Sequence, residues 1–274
     1  RIACRLPKNR PGLVGDLKVT FCCPHLRIAG GVRAILTYAH RLARRGHEVT
    51  LVVPARRALT AWWRNRRSVG PAWIPGFRPS VMWVREWSAT NLPQGDALVA
   101  TAWQSARAVA AAPSRCGRKF YFIQHYESLY HGPPEVVDET YRFPLRKIVI
   151  STWLREIMRD KFQSEADVVV TPVDPALFSR VEVSVEGDLV RVLMLHHDYA
   201  WKGVADGLAA VARVKGSVPG LTLVGFGVRR PRGGEAYDEF HANPPEERLA
   251  ALYSGCPIYL CPSWVEGLGM PGME

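Results

Sequence analysis

The chain has 274 residues, 47% hydrophobic and 22% charged, with a formal net charge of +11, a composition ordinary for a globular protein with apolar material enough for two domains. No run approaches the ~18–20 consecutive apolar residues of a membrane span, and Arg1-Ile-Ala-Cys-Arg-Leu-Pro-Lys8 lacks the apolar stretch of a secretory signal, so a cytoplasmic protein is expected. The six cysteines (Cys4, Cys22, Cys23, Cys116, Cys256, Cys261) include no C-x-x-C pair, which argues for buried free thiols and against a disulfide or zinc framework.

The charge sits at one end: residues 1–67 hold 15 Lys and Arg against 2 acids. Such a patch suits a phosphate-rich partner, whether nucleic acid, an anionic membrane surface or a pyrophosphate-linked lipid, although solvated helix faces would carry the same charges. Leu17-Lys-Val-Thr-Phe-Cys-Cys-Pro24 reads as a buried strand. Gly30-Gly31 then opens a stretch with Val32, Ile35, Leu36, Ala39, Leu42 and Ala43 at helical spacing, which Gly46 terminates. Glu48–Pro54 follows as a second buried strand. Strand, glycine loop, helix, strand is the opening of a parallel, doubly wound α/β sheet.

Further strands are expected over 96–101, 119–124, 147–151 and 166–171, with helical stretches between several of them. Pro172 to Phe178 reads as a proline-punctuated connection and 181–188 as a polar linker. A second alternation follows: strand 190–195, helix 204–215, strand 221–225, helix 246–253 and strand 258–260. Two such series joined by a polar segment imply two Rossmann-like domains facing a central cleft, over 1–180 and 187–274. Because the chain opens on Arg1 and stops at Glu274 where a helix starts, a fragment with a truncated C-terminal domain is expected.

Several segments have the residue types for chemistry. Gly30-Gly31 stands at a strand-to-helix junction, where exposed N–H groups attract phosphate, or simply make a tight turn. It does not form G-x-G-x-x-G, which disfavours a nicotinamide dehydrogenase. His125 is expected at the C-terminal edge of the strand Phe120-Tyr-Phe-Ile-Gln, where ligands bind in open sheets; it reads equally as a structural histidine. His196-His197-Asp198 and Lys202-Gly203 follow a strand, with the Lys cation at the mouth of a helix where it would pair with a diphosphate. Adjacent histidines rarely point at one ion, so no metal is expected. Glu266-Gly-Leu-Gly-Met-Pro-Gly-Met-Glu274 places two carboxylates eight positions apart around a glycine turn. This suits an anionic ligand with flanking hydroxyls, or a surface turn with two solvated glutamates.

Gly30-Gly31, Arg45-Gly-His-Glu-Val49, Ile150-Ser-Thr-Trp-Leu154, Pro172-Val-Asp174, Lys202-Gly203, Gly225-Phe-Gly227 and Pro262-Ser-x-x-Glu266-Gly-Leu-Gly-Met-Pro-x-x-Glu274 together resemble a retaining GT-B glycosyltransferase of family 4 over about residues 17–274. The segments Phe122-Ile-Gln-x-Tyr-Glu127 and Thr140-Tyr-Arg are similar to those of bacterial rhamnosyltransferases of surface polysaccharide. The resemblance implies an N-terminal acceptor domain and a C-terminal donor domain, with a nucleoside-diphosphate sugar as co-substrate and neither cofactor nor metal. It implies that Glu274 binds the donor ribose, and that Glu266 with the amides of Gly267, Leu268 and Gly269 holds the sugar and diphosphate. Lys202 would neutralise the leaving diphosphate, Gly31 would lend it an amide, and His125 would sit near the anomeric centre. The family commonly has an Arg shortly before the Lys; here His196 or His197 stands in, a weaker diphosphate partner. The rhamnosyl enzymes often show Asp where His125 stands.

Trp62, Trp63, Trp73, Trp83 and Trp87 lie among Arg56, Arg57, Arg64, Arg66, Arg67, Arg78 and Arg85, a mixture that suits an anionic membrane surface or a glycolipid acceptor, or else core tryptophans with solvated arginines. No nucleic-acid module is recognisable, so nucleic acid is not expected as a partner. The expected activity is transfer of a sugar to a saccharide, lipid-linked or natural-product acceptor. Alternatives are a hydrolase or epimerase of sugar nucleotides on the same fold, and a catalytically silent sugar-nucleotide or glycan binding module.

Overall fold

The computed structural model describes residues 16–55, 57–179, 190–231 and 236–274. Cys4, Arg56 and the expected linker at 181–188 lie outside the described residues. Two compact units, Arg1–Val169 and Val170–Glu274, divide the chain.

The first unit runs β1 (Lys18–Cys22), α1 (Gly30–Arg44), β2 (Glu48–Pro54), α2 (Ala58–Arg66), β3 (Ser80–Val84), β4 (Ala97–Ala100), α3 (Trp103–Ala111), β5 (Arg118–Ile123), α4 (Pro134–Tyr141), β6 (Arg146–Val149), α5 (Thr152–Phe162) and β7 (Ala166–Val168). All seven strands are parallel, in the order β3-β2-β1-β4-β5-β6-β7. Phe21 stands opposite Leu51 on one side and Val99 on the other, so the central strands are near-continuous apolar runs buried on both faces. Helix α1 buries Val32, Ile35, Leu36 and Ala39, one stripe at helical spacing. Arg41 and Arg44 lie in its last turn, where cations complement the helix dipole. The chain then reverses through Gly46 at φ +101°, a backbone that a side chain would strain. The order reverses between β1 and β4, so their C-terminal ends border a crevice of the kind in which open sheets bind ligands.

Strand β5 ends at Ile123, one residue short of the expected Gln124, so His125 lies just past its C-terminal edge. Strand β7 stops at Val168, leaving Val169 and Val170 exposed. Strand β3 and helix α2 arise in a segment read only for its Arg and Trp content. Of the cysteines described, Cys22, Cys23, Cys116 and Cys256 are buried free thiols. Cys261 is exposed, since the strand Ile258–Leu260 ends one residue earlier and releases it into a surface loop.

The second unit runs β8 (Val190–Leu195), α6 (Val204–Lys215), β9 (Leu221–Gly227), β10 (Glu239–Ala242), α7 (Glu246–Gly255), β11 (Ile258–Leu260) and α8 (Met270–Met273). Its parallel sheet has the order β10-β9-β8-β11. Successive β8 side chains go to opposite faces. Leu193 joins Val224, Phe226, Leu249 and Leu252, against α7, while Val192 and Met194 join Val211, Leu223 and Tyr237, against α6. From β8 the chain winds outward through β9 to β10, then crosses to place β11 on the other side of β8. The switch point therefore lies at the C-terminal ends of β8 and β11. Among the described residues no helix is long and apolar enough to cross a membrane.

Candidate functional site

The loops after β8 and β11 are joined at three points. Gly203, at φ +61°, carries the first loop into α6 with its backbone against the second: a Cβ built there would lie 2.1 Å from the carbonyl oxygen of Pro262. The Trp264 amide donates to the carbonyl oxygen of Trp201 (2.9 Å). Lys202 Nζ, at the end of a single 3₁₀ turn over Ala200–Lys202, donates to Glu266 Oε1 at 2.6 Å, with both side chains mostly withdrawn from solvent. The structure thus brings together two of the sequence-expected site residues that are far apart in the chain. Such a half-buried pair is expensive to desolvate, so it contributes less to stability than to keeping a cation at a set place.

His196 Nδ1 shares a hydrogen bond with the Tyr237 hydroxyl at 3.0 Å. Burial holds its pKa below the ordinary value, against a smaller opposing pull from Asp198, so the ring is neutral at pH 7. His197 Nδ1 accepts the Tyr199 amide (3.1 Å), and burial followed by the Lys202 charge lowers its pKa too. Neither histidine therefore replaces the missing Arg as a cation. Tyr237, which orients His196 from 41 residues away, has no signature in the sequence. Among the described residues no three His, Cys, Asp or Glu side chains form a group able to hold a metal ion.

Past Glu266, Gly267 is buried and Leu268 half-buried. Gly269, at φ +73°, then turns the chain into α8. Glu274 closes that helix with its amide on the Met270 carbonyl (3.0 Å), and its carboxylate accepts from the Tyr253 hydroxyl at 3.4 Å. It lines a cavity of about 450 Å³ with Phe178, Tyr253, Ser254 and Cys256. Glu266 therefore faces Lys202, while Glu274 faces this cavity.

In the first unit, Gly31 lies in the first turn of α1, at the C-terminal edge of β1, and its carbonyl accepts from Gln124 Nε2 at 3.1 Å. Ala29 at the N-cap has no side-chain acceptor to offer the first-turn amides. His125 sits among the rings of Tyr130, His131 and Trp153, at 6.0, 6.4 and 6.4 Å. Its loop is fixed by Glu127. That carboxylate accepts from the first amide of α3, on Trp103 (3.0 Å), and from the Tyr121 hydroxyl (3.4 Å), while the Glu127 amide donates to the Tyr141 hydroxyl (2.9 Å). Burial pushes the Glu127 carboxyl up to about 7. The sequence shows Glu127 only as a neighbour of His125; its role as a cap for α3 depends on packing.

The Trp and Arg cluster divides. Trp73, Trp83 and Trp87 turn inward, and their indole N–H groups donate to the carbonyls of Leu26, Val69 and Val52. Trp62 and Trp63 stay on the surface of α2, 57% and 45% exposed, with Leu59 at 83%. Arg66 and Arg67 stack over Trp62 and Trp63, and Arg64 over Trp83.

No family model matches the chain. Over 177 residues it is 29% identical to the O-antigen biosynthesis protein RfbC of Myxococcus xanthus, covering 62% of this chain but only 14% of that protein's length. Among solved structures it is similar to the catalytic domain of starch synthase IV from Arabidopsis thaliana bound to ADP and acarbose (TM-score 0.65, 10% identity, 95% of this chain and 80% of that one). It is also similar to WaaG, a glycosyltransferase involved in lipopolysaccharide biosynthesis (TM-score 0.65, 15% identity, 91% and 76%), and to Anabaena HepE in complex with UDP-glucose (TM-score 0.59, 13% identity, 89% and 73%). At these identities the likeness is one of fold, and that fold is the α/β, parallel-sheet GT-B fold of glycosyltransferases.

Proposed function

We propose that the protein is a glycosyltransferase that moves a sugar from a nucleoside-diphosphate donor to a saccharide, glycolipid or natural-product acceptor, with retention of anomeric configuration and without a metal. The observation that carries the reading is the Lys202–Glu266 pair at the β8/β11 switch point of a GT-B fold. In the resting enzyme Glu266 compensates the ammonium. On donor binding Lys202 turns its charge to the diphosphate, and Glu266, with the amides of Gly267, Leu268 and Gly269, accepts and donates to the sugar. The diphosphate leaves with its negative charge met by Lys202, and the acceptor attacks on the same face. His196 offers the diphosphate a neutral contact, and Glu274 takes the ribose. Similarity to proteins named for O-antigen and lipopolysaccharide biosynthesis supports a surface-polysaccharide acceptor and, with the sequence segments above, a deoxyhexose such as rhamnose as the transferred sugar.

Calorimetric titration of UDP, GDP, ADP and dTDP into the protein tests this reading. One nucleotide should bind in the micromolar range, about −8 kcal/mol, and Glu274→Ala should weaken it. A folded protein that binds none of the four refutes the donor site. Turnover of the matching sugar nucleotide with and without acceptor separates transfer from hydrolysis, and its absence leaves a binding module.

The exposed α2 face belongs to the same reading as a contact for the acceptor's membrane. Leu59, Trp62 and Trp63, bordered by Arg57, Arg66 and Arg67, suit an anionic lipid surface, to which each arginine contributes about 1 kcal/mol. Vesicles containing phosphatidylserine should co-sediment the protein at low salt, and Trp62→Ala/Trp63→Ala should abolish this without lowering the melting temperature. Equal binding to neutral vesicles, or none to either, refutes the contact.

A further inference from the structure

We propose that Trp264, whose amide is tied to the aromatic loop of His197, Tyr199 and Trp201, is a platform for a pyranose ring beside the Lys202–Glu266 pair; the placement rests on the glycosyltransferase reading above. Trp264 is 63% exposed, two residues ahead of Glu266. Its indole N–H donates to Asp206 Oδ2 on α6 at 2.7 Å, and its amide to the Trp201 carbonyl at 2.9 Å, so backbone and ring are both anchored. A surface tryptophan held by its one polar atom presents a ring already oriented for a ligand, and little side-chain entropy remains to be lost on binding.

The neighbouring loop is aromatic in the same way. Tyr199 stacks on Trp201 with centroids 4.2 Å apart and planes 17° apart, and the His197 ring lies 4.3 Å from Tyr199, tilted by 37°. Tyr199 is nevertheless 46% exposed. The stack ends next to Lys202, and Trp264 ends next to Glu266, so aromatic surface flanks the ion pair on both of its loops. Exposed aromatic rings on both loops that carry a polar pair suit a binding surface better than a lone surface apolar residue does.

The ligand chemistry follows from the rings. One face of a pyranose presents C–H groups of slight positive charge, which suit the negative face of an indole, while the hydroxyl rim meets carboxylates such as the exposed Asp198. A nucleobase would stack as well, but it is separated from the diphosphate by a ribose, whereas the sugar on either side of the transferred bond lies directly beside it. The platform is therefore assigned to a sugar ring.

Saturation-transfer NMR on the full protein, with methyl α-D-glucopyranoside, methyl α-D-galactopyranoside and methyl α-L-rhamnopyranoside as probes, tests this. At least one probe should receive saturation on the C–H protons of one face. Trp264→Ala should lower that signal about three- to tenfold, Trp264→Phe should lower it less, and nucleotide affinity should stay unchanged in both. The proposal is overturned by the absence of saturation from all three probes, by an undiminished signal in folded Trp264→Ala, or by a Trp264-dependent signal on nucleobase protons instead. If Trp264→Ala does not fold, Trp264→Phe and Asp206→Ala decide, the latter removing the acceptor that anchors the ring. A protein that binds a pyranose through Trp264 but no nucleoside diphosphate would retain the platform and lose the transferase reading.

Discussion

Lys202→Ala is expected to lower kcat/KM for sugar transfer by about 10²- to 10³-fold, the usual cost of removing one group aimed at developing negative charge. The ammonium is mostly buried and held at 2.6 Å from Glu266, so in the proposed transfer it has only to exchange one partner for another, less reorganisation than a freely moving surface lysine would need. Its loss should also destabilise the fold. Glu266 would keep a partly desolvated charge with no cation beside it, and breaking such a pair costs up to about 3–5 kcal/mol when burial is complete and less when, as here, some solvent reaches it. The two effects separate in the double variant Lys202→Ala/Glu266→Ala. It should recover much of the lost melting temperature, because no lone charge remains, and none of the lost turnover. Lys202→Arg keeps the charge but changes its reach, and should fall between. Steady-state kinetics with calorimetric melting on wild type, Lys202→Ala, Glu266→Ala and the double variant gives all four corners; Lys202→Ala within about threefold of wild type would remove the lysine from the chemistry.

How far such a pair can be read in advance depends on what the sequence encodes locally. The bounds of β2, β8, α6 and β11 coincide with their expected ranges, because each is an apolar run or an apolar stripe ended by Pro or Gly or by polar loop residues. Ser80–Val84 and Glu239–Ala242 escape the same reading. Both are sheet-edge strands, and each owes its conformation to the neighbour it pairs with, β2 or β9. Lys202 and Glu266 are each recognisable from a motif after a strand, but their contact follows only from the adjacency of β8 and β11, a property of topology. The tryptophans show the limit most clearly. Nothing in composition distinguishes Trp62 and Trp63 from Trp73, Trp83 and Trp87, and what separates them is whether a distant carbonyl reaches the indole N–H. Likewise the orientation of His196 and the cap supplied by Glu127 depend on Tyr237, Trp103 and Tyr121, partners contributed by other elements.

Gly203→Ala should be strongly damaging, although it adds one methyl group. The backbone there is left-handed, at φ +61° and ψ 22°, which costs an L-residue about 1–2 kcal/mol. Steric overlap costs more. The new Cβ would lie 2.1 Å from the Pro262 carbonyl oxygen and 2.8 Å from its carbon, and since both are backbone atoms no rotamer change relieves the clash. Either the β8 loop or the β11 loop must move, and each carries one member of the Lys202–Glu266 pair. Strain of this kind adds about 1–3 kcal/mol, and with the backbone cost it should lower the melting temperature by roughly 5–15 °C. Separation of the loops should also weaken nucleotide binding. Gly216→Ala is the matched control, because that glycine has φ −71° and no atom within 4 Å of a built Cβ; it should leave stability within about 1 kcal/mol of wild type. If Gly203→Ala instead melts with Gly216→Ala and binds nucleotide as wild type does, the close approach of Gly203 to Pro262 does not set the geometry of the site.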